Sequence, residues 1–398
     1  MKQFFSGIIF IVLLRILIIV FVSVIVIVLS PYSFTTIYNF PSPQPFSGNI
    51  LYNPYQSLSN NTRFCKANLH AHSHAYSGVT DGHSTDKELF DGYKSMNYDV
   101  VGISNYQTIN QAFSSDSGYI PLYEHGYNAW KRHHICIGAN EVTWWDYILF
   151  QSLHQKQDMI FRLKPTIDVL AIAHPKFRNS FNASDFTELT DYDCIEVLNH
   201  YRTSSEAWDS ALSTGHPVWI VADDDSHNVK ADGETGVCWT MIAAPPIRRE
   251  ITKALKHGQC YGVEGKHGIN NNGLQLLQTI GLQCFIQCDS IADSVQFIGQ
   301  GGKIKAVHYR IDTSSYTFDN YDTYIRIKIF RGNSCMWLNP IFRTPHGGIV
   351  PIHATENTIA TWLWRVASIG SWLGILIVVI RKKTFRRKHL LNSQHLKL

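Results

Sequence analysis

The chain has 398 residues, 45% of them hydrophobic and 17% charged, enough for one large domain with a smaller companion and too apolar for a disordered chain. Its net charge of +4 belongs to the C-terminus: setting aside the seven Lys/Arg between Arg381 and Lys397, with Lys2, Arg15 and Arg365, turns +4 into −6 for the region between. An acidic central region argues against a nucleic-acid groove.

Residues 4–29 are a nearly unbroken apolar run, interrupted by Arg15 and long enough to cross a bilayer. The run is too long for a cleaved signal peptide and has no small-x-small site before Pro31, so a retained anchor over residues 1–30 is expected. Residues 31–62, rich in Ser, Pro, Asn and Tyr without periodicity, read as a linker.

Next comes Asn68-Leu69-His70-Ala71-His72-Ser73-His74, followed by Thr80-Asp81-Gly82-His83. Positions i and i+2 of a strand share a face, so His70 and His72 present two imidazoles side by side, as two ligands to one metal require. Asp81 adds a harder oxygen donor. By itself His-x-His is a weak signal, and the carboxylate close behind it moves the balance towards a metal site.

From residue 63 to 262 short apolar runs alternate with amphipathic stretches. Residues 86–96 predict a helix with Leu89, Phe90 and Tyr93 on one side, and residues 98–104 a buried strand. The pattern returns at residues 134–139, 169–173, 194–198 and 217–222, which argues for a parallel α/β barrel or open sheet. Reactive groups then belong at the C-terminal ends of the strands. Glu141, His174, Asn199 with His200, and Asp223-Asp224-Asp225 with His227 follow successive apolar runs. A turn or a solvated loop explains each alone. Together they have the composition of a hydrolytic site with two or more metals.

Beyond residue 262 the helical pattern stops. Residues 294–299, 304–311, 323–330 and 334–338 read as strands of a small all-β, sandwich-like domain over 263–356. A second apolar run at 359–380 gives a transmembrane helix over 357–381, in which Arg365 can snorkel and Trp362 and Trp364 suit an interface; Trp372 falls deeper. The tail, 382–398, follows Arg381 with Lys382, Lys383, Arg386, Arg387 and Lys388 and no acid among them. The positive-inside rule makes it cytoplasmic, so both termini are expected in the cytoplasm and the main domain outside the cell membrane, in the periplasm or the extracellular space. The eight cysteines sit among apolar residues and form no tight framework, and Cys284 and Cys288 are too far apart along a strand to pair with each other.

The motifs taken in order resemble the PHP (polymerase and histidinol phosphatase) superfamily of metal-dependent phosphoesterases. They are Asn68 to His72, Thr80 to Leu89, Gly92-Tyr93 through Gly102-Ile103-Ser104, Glu141-Val142-Thr143, Ala173-His174-Pro175, Ile195 to Asn199 and Asp225-Ser226-His227. The resemblance covers residues 63–262 and implies a distorted (β/α)7 barrel holding two, or three, divalent ions of Zn, Mn, Fe or Mg. By position His70, His72, Glu141 and Asp225 are then ligands of one metal. Glu141 bridges to a second held by His174, and Asp81 and His227 belong to a third position. His174 or His227 is the candidate general acid. Two departures stand out. Ser104-Asn105-Tyr106 replaces the family's Thr-Asp-His, and Trp144-Trp145-Asp146-Tyr147 replaces the histidine after the glutamate; Asp146, His74, His83, His154 and His200 are candidate substitutes.

The expectation is a membrane-anchored, extracytoplasmic phosphoesterase acting on a small phosphorylated substrate, without nucleic acid. The rivals are a sensor or scaffold of the same fold without catalysis, and a metal-dependent hydrolase of another bond.

Overall fold

The structure, a computed structural model, describes residues 2–59 and 61–395; residues 396–398, including Lys397 of the basic tail, lie outside the described residues. The chain divides into two compact units, Met1–Asn39 with Thr355–Leu398, and Phe40–Ala354.

In the first unit helix α1 (Lys2–Ser33) and the C-terminal helix α6 (Thr358–His395) are joined where Tyr38–Asn39 pairs antiparallel with Thr355–Glu356. Val12–Ser33 and Thr358–Lys382 are each long and apolar enough to cross a membrane. The indole N–H groups of Trp364 and Trp372 donate to the Tyr32 carbonyl (2.8 Å) and Ser33 Oγ (3.0 Å). An indole N–H in apolar surroundings needs such an acceptor, and this one accounts for the depth of Trp372.

In the second unit, strands β1 (Cys65–Asn68) and β2 (Val100–Val101) open a large sheet. Strands β3 (Leu122–His125), β4 (His134–Ile137), β5 (Val169–Ile172), β6 (Cys194–Leu198) and β7 (Trp219–Ala222) form a separate five-stranded sheet in the order β7-β6-β5-β4-β3. The chain then returns to the large sheet with β8 (Cys238–Ile242), β9 (Cys260–Glu264), β10 (Leu274–Ile280), β11 (Gln283–Gly299), β12 (Lys303–Thr317), β13 (Tyr324–Arg331) and β14 (Ser334–Leu338). That sheet runs β10-β11-β13-β14-β9-β8-β1-β2, with β12 on β11. The C-terminal strands therefore extend the sheet that carries β1, through the pairing of β9 with β14.

The expected (β/α)7 barrel is corrected by this architecture. Strands dominate, and of the six helices among the described residues two are the long apolar ones. The other four, α2 (Asp86–Ser95), α3 (Leu153–Leu163), α4 (Ser205–Ser213) and α5 (Arg248–Lys256), are too few to follow each strand. Strand β4 also runs antiparallel to both β3 and β5. Apolar runs of four residues look alike in either direction, which is why the sequence pattern suggested an all-parallel order.

Local chemistry sets the elements that flank the site. Helix α2 starts at a capping box, Thr85 with Glu88, and buries Leu89 and Tyr93; the Tyr93 hydroxyl donates to Asp224 Oδ2 at 3.0 Å. Helix α4 is tied to β13 by a buried bidentate pair, Arg326 Nε and Nη2 on Asp209 at 2.8 and 2.7 Å, joined by the Tyr324 hydroxyl at 3.0 Å. The Tyr55 hydroxyl donates to the Cys260 carbonyl at 2.6 Å and accepts the Asn339 N–H at 2.8 Å, fastening residues before β1 to the large sheet. All eight cysteines are buried and free.

Candidate metal centre

Where β1 ends, the chain continues as Leu69 to Ser73 between the two sheets, held by backbone bonds from Asp225 N–H to the His70 carbonyl (2.8 Å) and His72 N–H to the Ser226 carbonyl (2.8 Å). Isolated bridges at Ala71–Ser226 and Tyr106–Glu124 join the two sheets around the same place. His70 and His72 are fully buried there.

The three aspartates after β7 divide the work. Asp223 Oδ1 accepts the Leu69 N–H at 2.5 Å. Asp224 accepts the N–H groups of Gly236, Val237 and Cys238 at 2.7–2.9 Å, and burial still pushes its carboxyl up to about 6. Asp225 alone turns into the site, from a backbone with φ of +50°. His174, after β5, is likewise left-handed with φ of +28°. Non-glycine residues held in this region concentrate at functional sites. The N–H of His174 is held by Glu196 Oε2 at 2.6 Å.

The donors converge on a carboxylate the sequence pattern did not single out, Glu124 near the end of β3. His70 Nε2 lies 3.4 Å from Glu124 Oε1 and 3.2 Å from Asp225 Oδ1, and His72 Nε2 lies 3.2 Å from Glu124 Oε2 and 3.2 Å from Asp225 Oδ1. Ligand atoms about 2.0–2.1 Å from one tetrahedral ion stand about 3.3–3.4 Å apart. His70 Nε2, His72 Nε2, Glu124 Oε2 and Asp225 Oδ1 are all buried without a hydrogen-bond partner. A buried polar atom left so costs about 1–3 kcal/mol. Three of them, His70 Nε2, His72 Nε2 and Asp225 Oδ1, lie close enough together to hold a cation, and Glu124 Oε2 stands 3.2 Å from His72 Nε2. His70, His72 and Asp225 form one set of donors within 4.8 Å of one another, and His70, Glu124 and His174 form a second. Glu124 Oε1 faces His174 Nε2 at 3.0 Å and His133 Nδ1 at 2.6 Å.

A supporting layer fixes the imidazoles. His70 Nδ1 is 3.0 Å from Glu196 Oε1, and His72 Nδ1 faces Asp81 Oδ1 at 3.3 Å, which leaves each Nε2 for the centre. Burial alone would lower the His72 imidazole, but the Asp225, Asp81 and Glu124 carboxylates beside it raise it to about 10. The same contest ends with His70 well above its ordinary value, held up by Asp225, Glu124 and Glu196. Burial would raise Glu124, but His133 and His70 hold it well below the usual range.

The expected residues therefore separate. His70, His72, His174 and Asp225 come together. Asp81 backs His72 and also accepts the Tyr106 N–H at 3.2 Å, and the His227 ring stacks on His72 at 4.3 Å. Among the described residues neither Asp81 nor His227 enters a three-donor set. Glu141 is exposed after β4 and forms no part of the centre. Because β4 is antiparallel, its C-terminal end points away from the site and its N-terminal end, preceded by His133, points into it. The missing signal was the run Leu122-Tyr123-Glu124-His125, with His133 nine residues after the glutamate. Of the substitutes, His83 is exposed and the other four are occupied elsewhere. His74 Nε2 meets the His83 carbonyl at 2.8 Å, His154 stacks on Phe40 at 5.4 Å, His200 meets the Asp224 carbonyl, and Asp146 caps the Tyr127 N–H at 3.0 Å. Asn105 accepts the Ser73 N–H at 2.9 Å and donates to Ser73 Oγ at 2.8 Å. The Tyr106 ring lies 4.8 Å from His72, and burial followed by the Glu124, Asp225 and Asp81 carboxylates keeps its phenol protonated.

Comparison of the chain with protein-family models finds no match, and neither does comparison with curated proteins.

Proposed function

We propose that the protein is a membrane-anchored, metal-dependent phosphoesterase, a kinship with the PHP superfamily being part of the proposal. One observation carries the reading: the buried, unpartnered atoms His70 Nε2, His72 Nε2 and Asp225 Oδ1 lie together, each imidazole 3.2 Å from the carboxylate oxygen, with the unpartnered Glu124 Oε2 3.2 Å from His72 Nε2. Glu124 Oε1 with His174 would serve a neighbouring ion. Bound there, divalent ions polarise a phosphoryl oxygen and acidify water. Glu196 and Asp81 orient the imidazoles, and the antiparallel turn into β4 sets His133 against Glu124. Of the two histidines considered for proton transfer, His174 is committed to Glu124, whereas His227 borders the open cavity beside the centre. In this reading His227, once protonated, would give its proton to the departing alkoxide, while a water oxygen bonds to phosphorus and the ester P–O bond breaks. The two apolar helices would anchor the catalytic unit outside the cytoplasm.

The test is full-length protein in detergent, assayed for metal content and for release of nitrophenol from nitrophenyl phosphate. Turnover abolished by chelation and by His70→Ala, and restored to the chelated wild type by a divalent ion, is expected. A metal-loaded protein that releases no phosphate from any phosphoester, or that cleaves amides instead, would overturn it.

A further inference from the structure

A cavity of about 760 Å³ opens beside the centre, with Asp81 and His227 in its wall. A phosphoryl group fills only a small part of such a volume, so most of it serves another portion of a ligand. Four aromatic side chains share the wall with them. Tyr76, Tyr127 and Trp144 leave 48%, 42% and 64% of their surfaces exposed, and Tyr106 forms the floor towards His72. Rings in water forgo the burial that usually stabilises aromatic side chains. The two tyrosines are held by hydrogen bonds instead. The Tyr76 hydroxyl donates to the Tyr106 carbonyl at 2.8 Å, the Tyr127 hydroxyl donates to the Trp144 carbonyl, and the Tyr127 N–H donates to Asp146 Oδ2 at 3.0 Å. The orientation of these two tyrosine rings is set in advance, which reduces the ordering a ligand must impose.

Two further groups narrow the ligand. Lys131, the only Lys or Arg among the described residues of the wall, stands with its Nζ 5.4 Å from the Tyr106 ring centre. One cation suits a single phosphate beside the centre, not a polyphosphate chain. Gln107 is 6% exposed and forms part of the wall, and its amide Nε2 and Oε1 are both buried without a partner. An amide with unused donor and acceptor matches a ring edge that offers the complement. Tyr76, Asp81, Gln107 and Lys131 also share left-handed backbone, with φ between +49° and +70°.

We infer that this cavity seats the organic part of the substrate, a ring with a flat face for stacking and a polar edge, joined to one phosphate. The inference rests on the phosphoesterase reading for the phosphate alone; the ring seat stands on the cavity. A nucleobase and a pyranose share this chemistry, and both stack on Trp and Tyr.

The experiment uses full-length metal-loaded protein with adenosine monophosphate, glucose 6-phosphate and glycerol 3-phosphate. At least one ring ester should surpass the acyclic ester about tenfold in kcat/KM, and whichever does so identifies the source. Trp144→Ala should raise KM for that ring ester about tenfold, since one stacked base is worth about 1–3 kcal/mol. Trp144→Phe should recover most of the loss, and neither variant should alter metal content. No preference for a ring, or equal losses on all three substrates, would overturn the inference. A second arm omits the phosphate: adenosine and methyl glucoside are titrated while tryptophan fluorescence is followed. Saturable quenching that is lost in Trp144→Ala supports the ring seat even if no ester is hydrolysed, which would fell only the phosphoesterase reading. Absence of quenching by either compound, with ester turnover intact, would fell only the ring seat.

Discussion

At the scale of single residues, the centre turns on Glu124, because one carboxylate faces His70, His72, His133 and His174 together. Glu124→Gln keeps the shape and removes the charge, so bound metal should fall more than the about 10–100-fold in affinity that an orienting partner costs. Glu141→Gln should leave metal content unchanged, and elemental analysis of the two variants side by side checks the assignment. The raised imidazoles give a second prediction. In metal-free protein His72, at about 10, carries a proton at neutral pH, so metal uptake must expel it. Metal affinity should therefore rise with pH between 7 and 10, and calorimetry in buffers of different ionisation enthalpy should detect at least one proton released. For the metal-free fold the sign is opposite. A folded value above the unfolded value of about 6.5 gives stability that is fully present below about pH 6.5 and is lost as pH rises through about 10. His72→Gln should flatten that decline.

At the scale of elements, strand direction decided what the sequence could reveal. His70 and His72 were legible because alternation within an extended segment is local. His174 and Asp225 were legible because they follow β5 and β7, which run parallel in the sheet. Glu124 and His133 were hidden, since nothing in the four buried residues of β4 records that the strand runs backwards. The same reversal made Glu141 look like a ligand. The strands after residue 262 were readable one by one, but their continuity with β1 depends on the β9–β14 pairing, which lies about 70 residues apart in sequence. The bond between α4 and β13 was also invisible, and it carries its own prediction. Asp209→Ala strands the Arg326 guanidinium, 3% exposed, without its partner, and loss of one member of a buried pair costs about 3–5 kcal/mol. Urea denaturation should show this loss, and the Asp209→Leu/Arg326→Met double variant should recover much of it.

At the scale of the whole molecule, α1 ends and α6 begins side by side, joined through Tyr38–Asn39 and Thr355–Glu356. If both helices cross a membrane, spans leaving one end in this way would return both termini to the same face, and the positive-inside rule would make it the cytoplasmic one. Protease added to intact cells should digest the region between the helices and spare a tag fused at Leu398; protection of that region would reverse the orientation. The buried thiols have a further consequence. Burial pushes Cys65, Cys260, Cys284, Cys288 and Cys335 up to about 12, so an alkylating reagent in solution finds no reactive sulfur while the fold is closed. The eight sulfurs, distributed over both sheets, work as a clock for opening, and mass spectrometry can read which strand parts first. Metal-loaded protein should run this clock more slowly than stripped protein, since a ligand of the closed state depletes the open one. Equal rates would mean that the centre and the sheets around it come apart independently.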